Sequence, residues 1–374
     1  MPDLKDVAVG AILAAAGGVA FCLMKTSGWL LRSACRDQAL SLSEVGSTAL
    51  GAAGVACAAT ATTGSMFLGL RGWQWLNLGA FAINLISVSV PGRIDGKMAD
   101  EAKRHRALAI QKKEAKTEDG RDGGKSGKDG EGGVEGVPRD SMYRSLVTPA
   151  GWAFAIWGVI FLTEAVFIAV QAMPVVSLSP GAVAVFEGVS PWWAMACGLQ
   201  ALWCVAFRDW AQAPRHFWLS GALLAAEAVA LGGAHHVLRA AVRDGMSTAV
   251  YLSCHLPLSL HFGWITAAAV VNVNSLVAVA ATPPHAQLSF AFASVWGAAA
   301  LGALVTATSG DPVYAGVLAW ALSAVVADGG KRAKDTMGEV PLAALTHSAA
   351  TAAKGLATIG VVVAGMRALG VGAA

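Results

Sequence analysis

The residues of this chain best placed to do chemistry are acids and imidazoles set inside apolar runs: Glu164, Glu227, His255 and His261. A charge at the centre of a bilayer costs about 2.5–3.5 kcal/mol even on a lenient scale, so each such group needs a partner, a water-filled cavity or a neutral state. Glu164 or Glu227 reads as a polar anchor or proton site, with His255 and His261 as the partners on offer. His235 and His236 fall near the end of an apolar run, where exposure at the membrane interface is expected. Asn272 and Asn274 are expected to bond across helices, a role that needs no ligand.

Aromatic residues form the second signal. The chain has 13 tryptophans, several of them within apolar runs and not only at the ends where an interfacial belt would place them. Residues three, four and seven apart share a helix face, which puts Trp157, Phe161, Glu164 and Ile168 in one stripe and His261, Trp264, Ala268, Val271 and Asn272 in another. Packing within a helix bundle is the plainer account of such stripes, with Ala268 letting two helices approach. No catalytic constellation accompanies them: there is no His-Glu-x-x-His, no Gly-x-Ser-x-Gly, no phosphate loop and no Cys/His cluster at metal-ligand spacing. The six cysteines, Cys22, Cys35, Cys57, Cys197, Cys204 and Cys254, form no Cys-x-x-Cys pair and read as small buried hydrophobes.

The elements that must position these residues are membrane helices. Apolar residues make up 55% of the chain and charged ones 14%, with mean hydropathy +0.56, against about 25% charged in a soluble domain. A span needs roughly 20 apolar residues. Eight stretches after residue 70 approach that length: 73–90, 149–171, 191–207, 217–238, 249–278, 288–307, 312–328 and 346–368, the last weakened by Lys354. Two weaker candidates rich in small residues, 7–24 and 46–70, precede them. Residues 93–144 hold 13 Lys/Arg and 11 Asp/Glu and read as a charged, largely disordered insertion kept on the cytoplasmic face. The expected fold is all-α, a polytopic transmembrane bundle. A net charge of +3 with no basic stripe argues against a nucleic-acid partner; the bilayer is the partner expected.

Two segments carry a family resemblance. Residues 148–161, Thr-Pro-Ala-Gly-Trp-Ala-Phe-Ala-Ile-Trp-Gly-Val-Ile-Phe, resemble the second helix of the TspO/MBR family, the tryptophan-rich sensory or translocator proteins. Residues 256–272, Leu-Pro-Leu-Ser-Leu-His-Phe-Gly-Trp-Ile-Thr-Ala-Ala-Ala-Val-Val-Asn, resemble its fifth helix, and Gln200-Ala201-Leu202-Trp203 its third. Trp152 and Trp157 stand one residue closer than in the usual pattern, and Phe161 replaces its tyrosine. The resemblance implies a TspO-like five-helix core, with 73–92 as its first helix and 145–280 as helices two to five. It sets 1–72 and 281–374 outside that core as extensions with helices of their own.

It further implies that the two stripes face one another around a cavity, where indole faces stack on a planar hydrophobic molecule such as a tetrapyrrole or sterol. The implied ligand-binding residues are Trp152, Trp157, Phe161, Glu164, Trp203, His261, Trp264, Ala268, Val271 and Asn272, and His261 would be an axial ligand were the tetrapyrrole metallated. The function so implied is that of a membrane receptor or carrier, not an enzyme. Two other readings remain: a secondary transporter relaying protons through its ionisable residues, in which Pro257 would break its helix, and a structural subunit docking a second copy or a larger membrane complex.

Overall fold

The computed structural model describes residues 66–67, 70–89, 145–208, 214–328, 330 and 333–369. The run 7–24, nearly all of 46–70 and the segment 93–144 lie outside the described residues. Within them the chain is a bundle of eight helices longer than a few turns: α1 Gly72–Ser89, α2 Ile156–Gln171, α3 Pro180–Ala206, α4 Pro214–Arg243, α5 Leu256–Val279, α6 Pro284–Ser309, α7 Pro312–Asp328 and α8 Glu339–Ala368. Met66, Phe67 and Leu70 of the 46–70 run are not helical. Two-residue strands, β1 Met66–Phe67 and β2 Leu70–Arg71, pair antiparallel there with Met66 opposite Arg71.

Helix ends follow from local chemistry. Ser179 caps α3 by accepting the Ala182 N–H, with Pro180 in the first turn, where its missing donor costs nothing. Gly310, at φ +67°, ends α6 in the left-handed conformation that glycine adopts without strain. Asp311 then caps α7 through its Oδ1, which accepts the Val313 N–H at 2.9 Å. Pro257 does not break its helix. A turn at Thr248–Val250 and a π-helical turn at Tyr251–His255 lead into α5, so helix is continuous from Thr248 to Val279.

Six of these helices are long and apolar enough to cross a membrane: Gly151–Gln171 (α2 with its 3-10 entry), α3, α4 from Arg215, Thr248–Val279, α6 and α8. Lys354 does not interrupt α8; it lies on an exposed face of an unbroken 30-residue helix. The other two helices are short or polar. The 17-residue α7 lies against α5, α6 and α8. On α1 the polar residues Gln74, Asn77, Asn84 and Ser87 face inward. Gln74 Nε2 donates to the Gln171 and Met173 carbonyls at 2.6 and 2.9 Å, satisfying acceptors that the end of α2 leaves open, and Asn77 Nδ2 donates to Ser190 Oγ at 2.8 Å.

The core divides in two around α5. One half joins α1, α3 and α4 through Trp73, Phe186, Trp193, Leu199, Leu224 and Leu231. The other joins α6, α7 and α8 through Val295, Tyr314, Leu318, Leu345 and Leu356. Ile265 and Ala269 of α5 face the first half, Trp264 and Ala267 the second. On the flank, α2 packs chiefly against α5 and the turn before it and leaves one side to the surroundings, with Val159 at 50% and Leu162 at 69% exposure.

Candidate functional site

Where α2, α4 and α5 meet, the acids and imidazole anticipated from the sequence form one group. His261 Nδ1 lies 2.7 Å from Glu164 Oε1, and Nε2 lies 3.2 Å from Glu227 Oε1, off the line of a direct hydrogen bond. All three side chains are fully buried. Trp193 of α3, which the sequence reading passed over, donates its indole N–H to Glu164 Oε1 at 3.0 Å. Among the described residues, Glu164 Oε2, both Glu227 oxygens and the Trp264 N–H have no hydrogen-bond partner. Two carboxyls and one imidazole are electrically neutral together when they hold two titratable protons. A neutral triad is the form that an apolar interior favours, and its unmatched oxygens suit a water or the polar tip of a ligand.

Trp157 joins this triad to the outer face of α2. Half-buried, it stacks on Phe161 with ring centroids 5.4 Å apart and meets His261 and Trp264 edge to face at 5.7 and 6.3 Å. Phe154, 41% exposed, lies edge-on to Trp264 at 5.5 Å. The two stripes therefore do face each other, but they meet ring to ring and not across an open gap. The axial-ligand reading of His261 fails, because its Nδ1 is taken up by Glu164 and its Nε2 lies beside Glu227 within the core.

The remaining anticipated residues lie elsewhere. Trp152, 46% exposed, meets Trp320 of α7 edge to face at 4.6 Å, and the Trp320 N–H donates to the Ala153 carbonyl. Trp203 donates to Ser220 Oγ at 2.8 Å, Ser220 donates to Asn272 Oδ1, and Asn272 Nδ2 donates to the Ala268 carbonyl at 3.0 Å. This second network lies 11 residues, about 16 Å, along α5 from His261. Val271 is half-buried and Ala268 backs the first half of the core. Asn274 bonds across to Ser294 of α6, as expected of an intramembrane asparagine. His236 is exposed as anticipated; His235 is not, being 5% exposed with Nε2 2.9 Å from Asp311 Oδ2.

Residues 138–362 match the family model described as TSPO-like protein, which is more than half of the chain. The chain belongs to the TSPO-like protein family. No curated protein and no solved structure matches it. The matched segment of this TSPO-like protein begins after α1 and runs into α8, so α6 and α7 lie inside it, whereas the motif resemblance covers 73–278. Family and helix composition together make it an integral, multi-pass membrane protein.

Trp193 offers a limited test of the triad's wiring. Trp193→Phe keeps an aromatic ring in the pocket beside Phe167 and Phe81 but removes the donor to Glu164. The expected loss is about 1–2 kcal/mol, the cost of an unmatched buried acceptor, read as a lower midpoint of unfolding in detergent.

Proposed function

We propose that this TSPO-like protein is a membrane receptor or carrier for a planar hydrophobic molecule, a tetrapyrrole or sterol. It takes the ligand against the aromatic face that Trp157 and Phe161 of α2 and Phe154 of its 3-10 entry present. The position of Trp157 carries this reading: one indole is partly exposed at the surface of the bundle and in contact with His261 and Trp264. A ligand stacking there buries its flat face on apolar rings, and a hydroxyl or ring N–H can reach toward the unmatched acceptors of the triad. In this reading the protein binds and passes on its ligand and does not transform it.

Titrating the full-length protein in detergent with protoporphyrin, and separately with a fluorescent sterol, tests it. The expected result is saturable quenching of tryptophan fluorescence by one of the two, with affinity weakened at least tenfold in Trp157→Ala and less in Trp157→Phe. Equal affinity in Trp157→Ala and the natural protein would remove the proposal.

The Glu164–His261–Glu227 triad favours a second reading, proton-coupled transport, because a buried carboxylate–imidazole–carboxylate chain can hand protons between α2 and α4. Proton flux into proteoliposomes that disappears in Glu227→Gln would support it; flux unchanged by that substitution would not.

A further inference from the structure

We propose that His235, His255 and Asp311 form a binding site for a divalent transition-metal ion, Zn2+ foremost, at the end of the bundle where α4 finishes and α5 and α7 begin. The three are 5%, 1% and 0% exposed, and one donor atom from each lies within 4.8 Å of the others. Donors held 2.0–2.2 Å from a tetrahedral ion stand about 3.4 Å apart, so small side-chain rotations close the set. Two imidazoles and one carboxylate leave a fourth position for water or a further ligand, a donor set that suits zinc and its divalent neighbours.

Each ligand is aimed by its own local structure. Gly310, in the left-handed conformation, turns the chain so that Asp311 enters the bundle. Its Oδ1 is engaged by the Val313 N–H, leaving Oδ2 to face His235 Nε2 at 2.9 Å. His255 closes the π-helical turn Tyr251–His255, the kind of one-turn insertion that often marks functional positions in helices. Its ring is held between Tyr251, stacked at 4.8 Å, and His235 at 5.7 Å.

Ser259, one turn along α5, supplies the outer support that metal-binding histidines use. Its hydroxyl lies 3.2 Å from His255 Nδ1. Where that hydroxyl accepts from the Nδ1–H, the lone pair of His255 is on Nε2, the nitrogen then offered to an ion. A simple His235–Asp311 ion pair accounts for two of the three residues. It gives no reason for burying a second imidazole against them, and the metal reading does. The site shares no residue with the Glu164 triad.

The test uses the full-length protein, purified through a tag without histidines, stripped with chelator and titrated with Co2+ and then Zn2+. The expected result is one Co2+ per chain, with visible absorption typical of low coordination number that Zn2+ displaces. His255→Gln and Asp311→Asn should weaken binding at least a hundredfold, Ser259→Ala about ten- to a hundredfold, and the exposed neighbour His236→Gln not at all. X-ray absorption of the zinc-loaded natural protein needs no variant and should show imidazole nitrogen and oxygen scatterers without sulfur. No saturable Co2+ binding, equal affinity in His255→Gln, loss in His236→Gln, or a sulfur shell would each overturn the site.

Discussion

His261→Ala is expected to be the most damaging single change among the residues of the triad. It leaves Glu164 and Glu227 facing a void in the core with their shared counter-group gone, and breaking a buried ion pair from one side costs about 3–5 kcal/mol. The cost lies in the stranded carboxylates, not in lost packing. Glu164→Gln with Glu227→Gln in the His261→Ala background should therefore recover most of the stability. Far-UV circular dichroism through a denaturant titration in detergent reads both. A double amide that fails to rescue would mean that the ring's volume, and not its charge, is what the core requires.

Gly263→Leu is expected to force α5 and α7 apart. A Cβ added at Gly263 would stand 2.8 Å from Val317 Cβ and 3.4 Å from the Tyr314 carbonyl oxygen, both close to or part of the α7 backbone, where no side-chain rotation relieves the clash. Overpacking of this kind costs about 1–3 kcal/mol, and the larger side chain puts this one at the upper end. Trp264 and His261 flank Gly263 on α5, so the shift should also disturb Trp157 and change tryptophan emission. Gly316→Ala on the facing helix is the control: nothing stands within 4 Å of its new Cβ, and stability should hold. A neutral Gly263→Leu would show that α5 and α7 do not touch there.

Proline, glycine and paired charges interrupt the apolar runs, and Pro284 and Pro312 do begin α6 and α7; α3 instead begins at Pro180, well before the 191–207 run, and continues through Pro191, which the sequence reading took as its start. Glu164, Glu227 and His261 were legible for a different reason. A charge in an apolar run is costly enough to demand an explanation, although only the fold could show that one imidazole serves both acids. Asp311 was not legible. Standing between Gly310 and Pro312, it reads as a loop breaker, and its inward direction depends on the sign of one glycine φ. His235 was misplaced because apolarity fades at residue 238 while α4 continues to Arg243, which carries the helix end about two turns beyond the histidine. The inward turn of the α1 amides was not legible, because hydropathy does not resolve a run into faces.

A single imidazole in the bundle core stands between carboxyls from two other helices. Solid-state NMR of the full-length protein in lipid bilayers, with 13C-carboxyl glutamate and 15N-histidine, measures this directly. Couplings from the two His261 ring nitrogens to two different carboxyl carbons are expected, one lost in Glu164→Leu and the other in Glu227→Leu. A His261 ring with no carboxyl coupling, exchanging freely with water, would contradict the account.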